Sequence, residues 1–529
     1  MKAGIRRRGN LKFAARGLKL QIIAGFGTEM HPMKKIFSIF AVLLVAAAVR
    51  AALPSPDLIA RIHFAGAQKF AATPGAAFFA NEFSSVEALA VRKQTADKLA
   101  PWLAGWLAAN TGKALPDGAA KLRPLLDDLQ TSEWSLEARN SGGKPSGVFA
   151  IKLEPARLQL WRASLQSLPF EVSDSQGWLF CLFGDSAGKL GLLQPPAPIT
   201  DLLDLDINWP RLAQWFPKLK ELGLPETQFA VTAAADNNFH INGKFFFPEN
   251  LALKLDPWRV PTNIIHQPFV SFTAARGFAA WLQSQPWSSA CNISPEPNEL
   301  FTWALPQSPF QTFAAVPVPD AADALTQLYA RLQPALASAN AAGAFFRPLT
   351  MTRTNTEIHF AGTPFIAPSI RAVNDTSGQF LMASVFPNTA RSKPLPPELF
   401  ARLAQPNLVF YHWEITAVRM GDRFDQLPQF TQLALMLTSH RQLGGESAAM
   451  KWLRKFTPAL GNTVTEIFST GPAEMSFTRT APGGLTAAEI LALASWLEAP
   501  DFPGCNLKIQ RPAKRLHPVP AVPAPSSAK

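Results

Sequence analysis

Proline punctuates this chain at 47 of its 529 positions and seldom lets one regular element run far. A residue with a fixed φ and no backbone N–H ends helices and is kept out of central strands. Coiled coils are therefore excluded. Beyond residue 51 no apolar run approaches the roughly 20 residues of a membrane-spanning helix, which excludes a polytopic membrane protein. With 47% hydrophobic and 17% charged residues, the chain is also too apolar to be disordered.

Between the breakers, short β-rich runs alternate with amphipathic helical patterns. Paired runs flank turn residues at 133–139/147–153, 227–235/239–247, 349–353/357–361 and 465–469/474–479, as antiparallel hairpins require. Helical spacing covers 85–109, 155–168, 210–222, 276–283, 321–333, 397–404, 429–437, 447–460 and 486–497. The order strand–helix–hairpin recurs: residues 77–83 read as a strand before the first long helix, and 202–207 and 269–275 lead into two more such units. Arg61-Ile-His-Phe-Ala-Gly66 and Glu357-Ile-His-Phe-Ala-Gly362 share five residues. The expectation is an α+β protein of two to three lobes, each an antiparallel sheet with amphipathic helices packed on one face. The lobes are placed at 52–195, 196–345 and 346–505.

The segment Ala72-Thr-Pro-Gly-Ala-Ala-Phe-Phe-Ala80 followed by a long Leu/Ala helix resembles the opening of exported bacterial proteins of the domain-of-unknown-function 3352 type. The stretches Asn407–Thr416 and Gly484–Leu497 are similar to that class as well. The resemblance implies export and brings neither a known activity nor a site.

Export is also read directly from the residues. Lys34 and Lys35, the apolar stretch 36–49 and the small residues Val49 and Ala51 make the three parts of a secretory signal peptide at 33–51. Cleavage is expected between Ala51 and Ala52. If the leader stays attached, residues 36–49 are a single-pass membrane anchor instead. Residues 1–32 do not belong to such a signal and are expected to be an extension from a start at Met1 rather than Met33. Arg7-Arg8 echoes a twin-arginine signal, but the apolar region lies too far downstream.

The formal charge of +12 invites a nucleic-acid partner, but its position removes that reading. Residues 1–51 carry ten Lys/Arg and one Glu, and the last 25 residues add five bases and no acid. Residues 52–504 hold 35 bases against 37 acids, so the body has no long-range field for a polyanion. The Pro/Ala-rich basic segment 506–529 reads as a disordered tail. Cys181, Cys291 and Cys505 are widely spaced and read as isolated thiols; a Cys181–Cys291 bridge is permitted in an oxidising compartment.

Motifs with chemical spacing are scarce. The eight histidines are scattered, with no metal-binding pair, and no cofactor motif is present. Asp204-Leu-Asp206-Ile-Asn208 starts like a calcium loop but has Trp209 where glycine is required, so it reads as a strand with Leu203, Leu205 and Ile207 inward and the polar residues outward. Ser447 reads as a helix N-cap rather than a nucleophile. The most suggestive group is Tyr411-His412-Trp413-Glu414-Ile415-Thr416. Strand alternation puts His412, Glu414 and Thr416 on one face, where the first two form an acid–base pair or part of a solvated sheet surface. Glu357 and His359 repeat the arrangement. Most of the 14 tryptophans, Trp102, Trp106, Trp452 and Trp496 among them, sit at spacings that read as core.

The expected function is a non-enzymatic structural or binding role in the cell envelope, periplasmic or extracellular, with an unknown envelope protein or polymer as partner. No cofactor, metal or nucleic acid is expected, and a membrane only through residues 36–49. The alternatives are an exported hydrolase using His412 and Glu414, and a carbohydrate-binding protein with surface tryptophans.

Overall fold

The computed structural model describes residues 57–503 apart from residues 113–114, 142–143, 167, 169, 185–193, 266–267, 285–294, 307–310, 342–347, 363–365, 387–394, 422–446 and 500–501. The leader with Ala51 and Ala52, the extension, the tail, Cys291, Cys505 and the helix expected at 429–437 lie outside the described residues.

The chain opens with β1 (Leu58–Phe64), followed by α1 (Ala67–Ala72), α2 (Ala77–Phe83), the long α3 (Val86–Thr111) and α4 (Gly118–Thr131). The hairpin β2 (Trp134–Ser141)–β3 (Lys144–Lys152) comes next, then α5 (Pro155–Leu165) and the hairpin β4 (Glu171–Ser175)–β5 (Trp178–Phe183). A second group is β6 (Leu203–Ile207), α6 (Trp209–Trp215), β7 (Glu226–Ala233) and β8 (Phe239–Phe246). A third runs β9 (Ser271–Arg276), α7 (Ala279–Ser284), β10 (Glu299–Ala304), β11 (Thr312–Val318) and α8 (Ala321–Ala341). It continues through β12 (Thr350–Arg353), β13 (Glu357–Ala361), β14 (Ser369–Asp375) and β15 (Gly378–Ser384). The last group is α9 (Pro397–Leu403), β16 (Leu408–Ile415), α10 (Ala448–Phe456), β17 (Asn462–Gly471), β18 (Glu474–Ala481) and α11 (Ala487–Glu498).

All the described strands join one antiparallel path. Its order is β4-β5-β3-β2-β1-β6-β7-β8-β18-β17-β16-β9-β10-β11-β15-β14-β13-β12. The fold is mixed α+β, as expected, and the four expected hairpins pair as β2–β3, β7–β8, β12–β13 and β17–β18. Ladder bonds cross freely between residues far apart in sequence: β1 lies beside β6, β9 beside β16, and β8 beside β18.

Two expectations need correction. Residues 77–83 form helix α2, not a strand. Pro74 opens a turn of 3₁₀ helix before it, the run has no β-branched residue, and Phe79 stacks on Phe83 one helical turn away, with ring centres 5.9 Å apart. The strand that leads this unit is β1. Nor do the helices keep to one face. The apolar surface of the sheet changes sides along its length. From β1 to β18 it is the face of Leu205, Phe229, Ile241 and Phe477, covered in part by α6. From β16 to β15 it is the opposite face, where Phe272, Phe301, Trp303 and Phe313 pack against Leu399 and Leu403 of α9. Over β11, β13 and β15 the first face is apolar too, and α8 covers it at Val318, Ile358 and Leu381. An apolar surface on either side must be covered wherever it occurs.

The interior glycine of β8 has a clear reason. Gly243 pairs with Phe229 on one side and Phe477 on the other, and the two rings meet across it at 5.4 Å, edge to face. A Cβ at residue 243 would overlap the Phe229 ring. Gly243→Ala is expected to destabilise the fold by roughly 1–3 kcal/mol, the usual range for overpacking a tight core. A urea midpoint equal to that of the parent protein would show that the rings move aside without cost.

Candidate functional site

Cross-strand partners share a face, and one row runs through two regions of interest. Phe64, Leu203, Val231 and Ile241 lie side by side on β1, β6, β7 and β8, and the row continues through Arg479, Thr465, His412 and Thr273 on β18, β17, β16 and β9. The first half of the row is apolar and the second polar. Both halves face the helices around α2, α3, α10 and α11.

The polar half holds the pair singled out in the sequence. Glu414 is only 4% exposed, so the surface here is not solvated as the alternation implied; it is roofed by α11. His412 Nδ1 is 2.8 Å from the Thr273 hydroxyl, while its enclosed Nε2 makes no hydrogen bond and stands 3.4 Å from Glu414 Oε2. Glu414 Oε1 accepts from the backbone N–H of Ala487 at 2.6 Å and from the Thr416 hydroxyl at 3.1 Å. Thr486 caps α11 in a reciprocal capping box with Glu489, and the Glu489 carboxylate also takes Arg479 at 2.8 and 3.2 Å. The buried Arg479 donates to Thr465 at 2.8 Å as well.

Two carboxylates thus sit at the amino end of one helix, where unpaired N–H groups and the helix dipole favour negative charge. Burial works to raise the Glu414 carboxyl. The His412 ring, the Ala487 amide and the Thr416 hydroxyl outweigh it and hold the carboxyl below its ordinary value of 4.5. A general acid or base must reach the reacting atom of a substrate. Here Glu414 is buried and spent on fastening α11 to the sheet, and the His412 Nε2 that faces it is enclosed.

The other sequence-selected residues are dispersed. Glu357 binds Arg371 at 2.6 Å with His359 3.2 Å away, on β13 near the far edge of the sheet. Asp206 lies on a strand, as read, but is buried rather than outward; burial raises its carboxyl against the pull of Arg61 at 3.4 Å. Ser447 caps α10. Cys181 is free and buried, its thiol pushed up to about 12 by burial. Trp102, Trp106 and Trp496, read as core, are 45%, 40% and 37% exposed. Trp102 and Trp106 lie four residues apart, on successive turns of α3, so the helical spacing is real although both side chains stay partly exposed. Among the described residues no three His, Cys, Asp or Glu side chains converge as metal ligands.

The apolar half of the row floors a cavity of about 440 Å³, within the usual range for small-molecule sites. Phe70 of α1 and Phe79 and Phe83 of α2 form its roof, and the turn Gly483–Leu485 before α11 closes the side next to Arg479. Phe239 ties roof to floor, with Phe79 edge-on at 5.2 Å and Phe70 at 6.1 Å. Gly75 docks this roof: a Cβ there would overlap the backbone of Ala234 at the end of β7. Sequence reasoning missed the cavity. Its one local trace is the spacing of Phe79 and Phe83, since the floor comes from strands far apart along the chain.

Because the Glu414 carboxyl is lower in the fold than in an open chain, its stabilisation is present above about pH 4.5 and is lost as the pH falls through the folded value. Glu414→Gln is expected to lose roughly 2 kcal/mol at neutral pH, as a charged acceptor is removed from a buried donor. It should also flatten the fall in melting temperature on acidification. A variant that melts like the parent at neutral and acid pH would contradict the fastening role. Comparison of the chain with protein-family models, with curated proteins and with solved structures finds no match.

Proposed function

We propose that this chain is an exported protein of the cell envelope, of the domain-of-unknown-function 3352 type, with a binding rather than a catalytic role. One observation carries the reading: Glu414 is buried and engaged in holding α11, with His412 bound to Thr273 beside it, while the open concavity nearby is apolar. Binding is what an aromatic-lined cavity with few polar groups does well. The leader at 33–51 supports export, and the near-neutral body argues against a nucleic-acid partner. The orders β6–α6–β7–β8 and β9–α7–β10–β11, each with its first strand beside the hairpin's first strand, support reading the architecture as repeated strand–helix–hairpin units within lobes.

A second reading has one observation in its favour. Exposed Trp102 and Trp106 on successive turns of α3 are the kind of pair that stacks on sugar rings, as a carbohydrate-binding protein would use. Quenching of tryptophan fluorescence by envelope glycans, abolished in Trp102→Ala/Trp106→Ala, is the expected sign of that role.

Fractionation of cells expressing the native gene, with mass spectrometry of the amino terminus, tests the main reading. A soluble exported species beginning at Ala52 is expected. A membrane-bound species retaining residues 36–49 would make it a tethered envelope protein. A cytoplasmic species starting at Met1 would overturn export.

A further inference from the structure

The described walls of the cavity carry no charged side chain, and their polar members are Asn81, Ser84 and Gln130. Ser84 is spent on the Ala80 carbonyl at 2.9 Å, and Gln130 donates to the Leu126 carbonyl at 3.1 Å. Immediately behind this wall stands a cation. Arg92 of α3 lies with its Cζ 4.2 Å from the centre of the Phe83 ring, and its Nε donates to Gln130 Oε1 at 2.8 Å. Both contacts are cavity-wall residues, so the guanidinium is one side chain removed from the apolar space.

The neutralisation of Arg92 is incomplete. Its hydrogen bond is to a neutral amide. Asp127, the acid whose field reaches it, is itself bound by Arg123 at 2.6 Å. Burial pulls the Arg92 guanidinium below its ordinary value, with Asp127 opposing. A half-buried guanidinium is a planar donor suited to a carboxylate. The approach to it is apolar too: Val86 and Leu89, on the first turns of α3 just beyond Ser84, are 79% and 49% exposed.

An aromatic cavity and an incompletely paired cation immediately behind its wall are complementary to one kind of molecule. We propose that the cavity binds a single-chain amphiphilic carboxylate of the long-chain fatty-acid class, with its tail among Phe64, Phe70, Phe79 and Phe239 and its head on Arg92. The proposal rests on reading the cavity as the binding site. A tail without a charge would lose the Arg92 contact, and a charged group without a tail would leave the aromatic walls unfilled.

The test uses the purified mature chain and cis-parinarate, an intrinsically fluorescent fatty acid, displaced by palmitate or by palmitate methyl ester. Saturable parinarate fluorescence is expected, with palmitate the stronger competitor. Arg92→Gln should weaken palmitate by roughly tenfold and leave the ester almost unchanged, as loss of one charged hydrogen bond predicts. Ala71→Trp, at an exposed position on the cavity wall, should weaken both by a similar factor through filling the space. Ala80→Leu is a smaller filling change for the same purpose. Circular dichroism melts confirm that each variant is folded. Absence of saturable binding to the parent chain, unaltered binding in both filled variants, or an Arg92→Gln effect equal for acid and ester would each overturn the proposal. Export is read out separately by the amino-terminal mass spectrum, so loss of this ligand assignment would be visible while the export reading stood.

Discussion

Strands β8 and β18 pair antiparallel from Phe239 opposite Ala481 to Phe246 opposite Glu474, and the rest of the molecule is arranged around that ladder. Among the described residues it is the one ladder that joins the strands before residue 247 to those after residue 270. Its closure brings together segments more than two hundred residues apart, an entropic cost that grows only slowly with length but must be met by contacts across the join. Those contacts are the rings of Phe229, Phe245 and Phe477 over Gly243, all within 6.2 Å of one another. Glycine at the crossing is what lets aromatic side chains from three strands occupy one layer.

The cavity and the polar seam both sit on the face this ladder assembles. One row of cross-strand neighbours passes from the aromatic floor of the cavity to the Arg479–Thr465–His412 seam without a break. The seam holds the amino end of α11, and the turn just before α11 forms part of the cavity wall. Anchoring the helix and shaping the cavity are thus one piece of construction. A change at Glu414 or Arg479 should be felt at Gly483–Leu485 through the position of the helix start. The reversal of the apolar face beyond β17 explains why polar side chains occupy this seam: the sheet's large aromatics there point the other way, toward α9.

Much of this was legible in the residues. Turn chemistry between alternating runs located the hairpins, because Gly, Asn and Pro impose turns by local sterics. Helical spacing located α3, α8 and α11, and Ser447 announced the cap of α10. Residues 77–83 were misread because two adjacent phenylalanines look β-like, while the stacking of Phe79 on Phe83 that favours a helix depends on the roof they form together. The alternation at His412 and Glu414 was read correctly as to face and wrongly as to solvent, since whether a polar face is wet depends on what covers it.

By itself, the sequence determined the class of the fold, four hairpin turns and the Ser447 cap, and the distribution of charge, all of which follow from composition and from interactions between residues close in the chain. Only the tertiary structure decided that Glu414 fastens a helix to the sheet, that Trp102 and Trp106 are partly exposed, and that an aromatic cavity exists beside Arg92. Each of those depends on strand neighbours or helices drawn from distant parts of the chain, and periodicity along a single segment carries no record of which distant segment will lie against it.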